Sequence, residues 1–339
     1  MSSVTTSRNA GRADKKSSLL VVQGFLVRRG PLLLFAVLLL ILAIGSPTLV
    51  SPQSISSALI QASPIAIVAI GLSLVVIGGG DDVVVGGIDL SIPAGAALAT
   101  AIISDQLTNR GASFFYAVTI AMIAAVAVGV VNAFLVTVVG LTPILTTLAT
   151  YASVVGIVRT LTANRRINVE DPTILWIRDT AIVGVPVPVI IMLITFALFG
   201  FLVHRTGYGM KLQTVGGSVD AAISVGLKPR PLVASSFIWG GVAAGIAGIL
   251  LVARGSGMSP GIDERLLVDM VLATFVGAAF SARNVVTVLG SMLGAVLVAF
   301  MATGLILNRV DNSWVDGWKG LLILLVVIAA ALQTRRSRS

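Results

Sequence analysis

The chain has 339 residues, 56% of them hydrophobic and only 11% charged, with a formal net charge of +9. A mean hydropathy of +1.03 lies outside the range of soluble domains and makes this an integral membrane protein. It has no cysteine, which excludes disulfides and thiolate chemistry. The basic residues gather at the termini and between positions 204 and 230, a distribution that fits the positive-inside bias and not a nucleic-acid-binding face.

Residues 1–29 are polar and Ser-rich, with Arg8, Arg12, Lys15 and Lys16, and read as a disordered cytoplasmic tail. Arg28 and Arg29 flank the first apolar run, Pro31 to Ile44, which has no small-residue cleavage site behind it and reads as a retained span. Later apolar runs lie near 57–78, 92–105, 114–139, 143–161, 185–203, 231–253, 266–280, 287–307 and 318–333. The expected fold is an all-α membrane domain over 30–334 with about ten spans, followed by a basic tail at 335–339. An even number of spans puts both ends on one side, and Arg335, Arg336 and Arg338 make that side the cytoplasm. The segment 162–182 then lies outside, with Trp176 as an interface anchor, although its Arg165 and Arg166 run against the charge bias. Trp314 and Trp318 suit an interface at the other end of the last span, and His204, beside Arg205, reads as interfacial.

Two runs are too short. As helices, Ile92 to Asp105 would reach about 20 Å and Leu266 to Phe280 about 22 Å, against a hydrocarbon core of about 30 Å. They are the third and eighth runs, which suggests a 5+5 inverted repeat with short, broken helices at matching places beside a translocation path. Tilted packing helices with no contact to cargo fit the same pattern. In the sequence the repeat rests on hydropathy alone.

Gly86-Gly87-Ile88-Asp89-Leu90-Ser91 opens the third run, where the glycines allow a sharp turn and Asp89 or Ser91 can cap the helix. A capped turn and a hinge lining the path are both open readings for Gly86, Gly87, Asp89 and Ser91. The octapeptides VVIGGGDD (75–82) and VVVGGIDL (83–90) echo each other as a tandem duplication would. Asp269 sits near the start of the eighth run, where it either reaches water or marks the path. Asn132, inside the fourth run, suits a bond to a neighbouring helix better than a bond to substrate. No G-x-x-x-x-G-K-[ST] loop is present and no acid pair or metal-ligand cluster sits at catalytic spacing, so ATP hydrolysis and covalent chemistry are not expected of this chain.

The longest polar gap of the second half holds Thr214 to Arg230, reading TVGGSVDAAISVGLKPR. Gly216 and Gly217 end one helix. Ser218 is a good N-cap for the next, Asp220 suits its positive end, and Gly226 fits the C′ stop. The result, about 218–226, is a helix of about two turns, too short to cross a bilayer. Val219, Ala222 and Ile223 follow i, i+3, i+4 spacing, and Ala221 and Ala222 are small enough for close approach of another protein. A docking element and an ordinary surface helix both fit.

Residues 50–330 resemble the permease subunits of ribose-type sugar ABC importers. The resemblance rests on GGIDLS (86–91), VNAFL (131–135), TPILTTLAT (142–150), VPVPVIIML (185–193), HRTGYGMKLQTVGGSVDAAISVGL (204–227) and WVDGWKGLLILL (314–325), in that order. It implies a pathway through the bacterial plasma membrane formed by two permease subunits, as a homo- or heterodimer. ATP and Mg would be held by separate cytoplasmic ATPase subunits, and a periplasmic or lipid-anchored binding protein would deliver cargo. It makes Ser218, Val219, Asp220, Ala221, Ala222, Ile223 and Gly226 the helix that couples the ATPase to the channel. The chain differs from the family in its doubled glycine–aspartate turn and in a glycine-poor stretch at 277–287. An ion-coupled secondary transporter would need more intramembrane acids, and a non-transporting receptor would need no coupling helix.

Overall fold

The computed structural model describes residues 33, 35–79, 87–281, 285–311 and 314–324. These form helices joined by short connections, the expected solution for a chain that must satisfy its backbone groups in lipid. In chain order the helices are α1 (Phe35–Gly45), α2 (Pro52–Gly79), α3 (Ile92–Thr108) and α4 (Phe114–Phe134, continued as a π-helix over Leu135–Val139). Then come α5 (Pro143–Thr162), α6 (Pro172–Asp179), α7 (Val187–Arg205), α8 (Gly207–Gly217), α9 (Val219–Ser224) and α10 (Pro229–Gly255). The last are α11 (Ile262–Ala278), α12 (Val288–Leu307) and α13 (314–324). A 3-10 turn at Pro47–Val50 and two strand pairs complete the described structure: β1 (Ile167–Asn168) with β4 (Gly257–Met258), and β2 (Ala181–Ile182) with β3 (Val185–Pro186), both antiparallel.

Among the described residues six helices are long and apolar enough to cross a membrane: α2, α4 with its π-helical continuation, α5, α7, α10 and α12. The two short runs are helices of 17 residues each, reaching about 26 Å. α3 exceeds the sequence reading by three residues; α11 begins four residues earlier and ends two earlier than its run. Gln106, Leu107 and Thr108 extend α3, and α11 starts early because Asp263 and Glu264 sit favourably in its first turn.

At the centre α2 and α10 cross and are the most enclosed spans, 83% and 72% buried against 22% for α4 and α5. Small residues bring them together: a Cβ on Gly71 would lie 2.7 Å from the Cβ of Ala243. Each central helix carries its own companions, α10 against α3 and α4, and α2 against α11 and α12. This reciprocity extends to single residues. Thr100 on α3 donates to Ala96 O and reaches the Gly248 carbonyl of α10 at 3.4 Å. Thr274 on α11 donates to Met270 O and reaches the Ala69 carbonyl of α2, also at 3.4 Å. The separation along the chain that relates these two threonines also relates Gly87-Ile88-Asp89, before α3, to Gly261-Ile262-Asp263, at the start of α11.

α10 has 27 residues, about 40 Å, and separates two polar ends. At its start lie α8 and α9. At its finish the β1–β4 pair joins the connection after α5 to the one before α11. Arg166 fastens that end, donating to Asn168 Oδ1, Ser259 Oγ and Gly255 O at 2.6 to 2.9 Å. Arg178 on α6 donates to Ser256 Oγ and pairs with Asp179, whose hydrogen bond holds the Asp179 carboxyl below its usual range.

Candidate transport pathway and coupling helix

The first candidate group lies where α3 begins. Residues 87–91 run against the end of α2, so closely that a Cβ on Gly87 would sit 2.6 Å from the Val75 carbonyl oxygen. Only glycine fits there. Asp89, Ser91 and Asn132 are each at most 1% exposed. Ser91 donates to Asp89 Oδ1 through both its backbone N–H (2.8 Å) and its hydroxyl (2.7 Å). Asn132, on α4, donates to Ser91 Oγ at 2.6 Å and more weakly to Asp89 Oδ1 at 3.4 Å. From α5, Thr147 accepts from Leu90 N and donates to Ile88 O. The turn is thus fastened to two neighbouring helices by polar bonds.

Of the two residues expected to cap α3, Asp89 and not Ser91 accepts backbone N–H groups at the helix start. Ser91 holds the N-cap position in helical conformation and its side chain caps nothing; Asp89 takes the Ser91 N–H instead. Asn132 bonds its neighbour, and its Oδ1 has no partner among the described residues. Residues 80–86, which include Gly86 and the middle of the doubled octapeptides, and residues 282–284 of the 277–287 stretch lie outside the described residues.

Asp269 does not reach water. It is 7% exposed and lies in a separate ion pair, its Oδ1 2.8 Å from the Nζ of Lys319 on α13. At the start of α11, Tyr151 of α5 donates to Asp263 Oδ2 at 2.7 Å, and Arg159 lies 3.7 Å from Glu264. Reading the sequence by runs passed over Lys319, Tyr151 and Asp263. The signals were present: a lysine in an apolar final run, and a second Gly-Ile-Asp.

The short helix α9 is built as its residues dictate. Ser218 is extended and its hydroxyl accepts from Ala221 N. Gly226 takes φ +80°, while Leu227 N donates to Ala222 O and Gly226 N to Ile223 O, closing a Schellman motif. One expectation is corrected. Ala222 is fully buried against the chain itself, whereas Val219 and Ile223 are 51% and 56% exposed and Val225 71%. Consecutive helical residues differ by about 100°, so Ala222 faces in while Ile223 faces out. The outward apolar surface is Val219, Ile223 and Val225, with Asp220 and Ala221 also exposed.

The profile of a family described as the permease component of branched-chain amino acid transport systems matches residues 54–331. The galactofuranose transporter permease YtfT of Escherichia coli K12 is 29% identical over 270 residues, 79% of this chain and 76% of the relative. The ribose import permease RbsC of Bacillus subtilis 168 is 25% identical over 307 residues, 90% of this chain and 93% of the relative. The L-arabinose permease AraH of Azospirillum brasilense is 23% identical over 301 residues, 89% and 86% of the two chains. No solved structure matches. Matched over most of its length, the chain belongs to this permease family, and within it is similar to the ribose-type sugar permeases.

Proposed function

We propose that this protein is the membrane subunit of an ABC importer that carries a sugar or sugar-like solute across a bacterial plasma membrane. The full-length similarity to sugar permeases is the observation that carries this reading. In it, the chain has ten spans with both termini cytoplasmic, α8 and α9 face the cytoplasm, and the β1–β4 end faces outward. The reciprocal packing of α2 and α10 supports an inverted repeat. The short helices α3 and α11 then flank a path shared with a second permease subunit, and the Asp89–Ser91–Asn132 turn is its hinge. α9 enters a cleft of a cytoplasmic ATPase through Val219 and Ile223. Cargo arrives on a binding protein, which sets most of the specificity.

The test is reconstitution. In liposomes, uptake of the sugar that raises the melting temperature of the cognate binding protein is expected only with the ATPase, ATP and that binding protein present. Uptake by this chain alone, driven by an ion gradient, would make it a secondary transporter. A second measurement addresses the hinge. A cysteine replacing Ser91 is buried in the described conformation. It is expected to react with a water-soluble thiol reagent in at least one nucleotide state of the complex; protection in every state removes these residues from the pathway.

A further inference from the structure

Lys319 sits in the middle of the buried stripe of α13. Val315, Lys319 and Leu322 are 3–5% exposed, whereas Trp314, Trp318, Leu321 and Leu324 on the other side are 43–70% exposed. A stripe of this kind would normally be apolar throughout. Its central ammonium instead meets the Asp269 carboxylate of α11 at 2.8 Å, with both side chains at most 10% exposed. The second acid near it, Asp316 one turn back on α13, is 3.4 Å away with a side chain 49% exposed.

A buried ion pair is a poor way to gain stability, because desolvating both charges offsets their attraction, and an apolar pair of similar volume often does as well or better. What the pair provides is discrimination. An apolar stripe can slip along its neighbour by one turn, about 5.4 Å, and still bury hydrocarbon. A lysine in that slipped position would keep only the half-exposed Asp316 of its own helix and lose Asp269, leaving that buried carboxylate without its 2.8 Å partner and with only the less close charge of Arg254.

We infer that Asp269 and Lys319 form an intramembrane latch that sets the register of α13 on α11, and so holds one of the two short helices in place. Both are positioning residues. The link to transport rests on the reading of α11 as part of the pathway, but the latch can be tested without ATPase or sugar.

The experiment uses the full chain in lipid nanodiscs, with spin labels on cysteines replacing Ile306 (α12) and Leu324 (α13), both outward-facing positions in a cysteine-free protein. Thermal unfolding and the label-to-label distance distribution are read together. Lys319→Met and Asp269→Asn are each expected to lower the melting temperature, since each strands one buried charge or polar group. Asp316→Asn is expected to lower it far less. The apolar pair Asp269→Leu/Lys319→Met is expected to recover the melting temperature but to show a second distance population, shifted by about one helical turn. The charge swap Asp269→Lys/Lys319→Asp is expected to return a single distance. A single unshifted distance in the apolar pair overturns the latch, as does an unchanged melting temperature in Lys319→Met. If the apolar pair does not fold, the swap decides: two distance populations in it also overturn the inference.

Discussion

At the scale of single residues, the start of α3 depends on side chains that are scattered in sequence. Asn132 Nδ2 is the donor that joins α4 to Ser91, in a setting with no exposure to solvent. Removing a buried hydrogen-bonding group and stranding its partner costs about 1–3 kcal/mol. Asn132→Ala is therefore expected to lower the unfolding midpoint of the purified chain by an amount of that order, with Asn132→Asp at least as harmful, because it sets a second carboxylate against Asp89. An unchanged midpoint in Asn132→Ala would mean that the α4 bond carries no weight. Near the β1–β4 end, Asp179 follows the opposite logic, since it is exposed and its carboxyl is depressed by its hydrogen bond to Arg178. The pair is present above the ordinary carboxylate pKa and is lost as pH falls through the depressed one. Acidification into that range is expected to free the Arg178 side chain from Asp179, seen as a change in its guanidinium proton resonances that Asp179→Asn reproduces at neutral pH.

At the scale of elements, α9 separates an outward apolar surface from a seating surface. Ile223 points outward and Ala222 is buried against its own chain. Interface anchors often cost about 2 kcal/mol or more when lost. Ile223→Arg is thus expected to leave the chain folded while weakening co-purification of the ATPase at least about tenfold. Ala222→Arg is expected to disturb the permease itself, visible as a lower unfolding midpoint with no ATPase present. If Ile223→Arg retains full assembly and sugar-stimulated hydrolysis, the coupling surface lies elsewhere. Replacing Gly226 by Val should also harm α9, because its φ of +80° is a conformation that β-branched residues resist.

At the scale of the whole molecule, α2 and α10 form the frame on which the two sets of companions are mounted. A Cβ on Gly241 would come within 2.7 Å of the Ala125 carbonyl oxygen, whereas one on Gly156 of α5 would meet nothing within 4 Å. Overpacking a close interface costs roughly 1–3 kcal/mol and sometimes more. Gly241→Leu is expected to cut the yield of monodisperse protein in detergent sharply, with Gly156→Leu close to the parent; equal yields would mean that the α4–α10 approach is looser than described. The flank of α4 and α5 that includes Phe115, Ile123 and Leu145 is apolar and exposed on this chain.

The sequence by itself determined what is set locally. Apolar runs became helices because lipid leaves the backbone no other partner, and the Ser218 and Gly226 caps of α9 depend only on residues within a turn of each other. The two short helices were visible for the same reason, although their ends moved by about a turn where charged or polar residues joined the helix. The chain's membership of the permease family was legible in the order of its motifs. Tertiary structure decided which groups meet. A hydropathy run does not tell which side of a helix faces another helix, so Asp269 looked free to reach water until α13 brought Lys319 to it. Ala222 looked like a docking residue until the packing of α9 turned it inward. The reciprocal α2 and α10 arrangement was hidden because small residues and single threonines, rather than long matching segments, make those contacts. Pairing across the membrane depends on rotation and register, and only the packed helices set those.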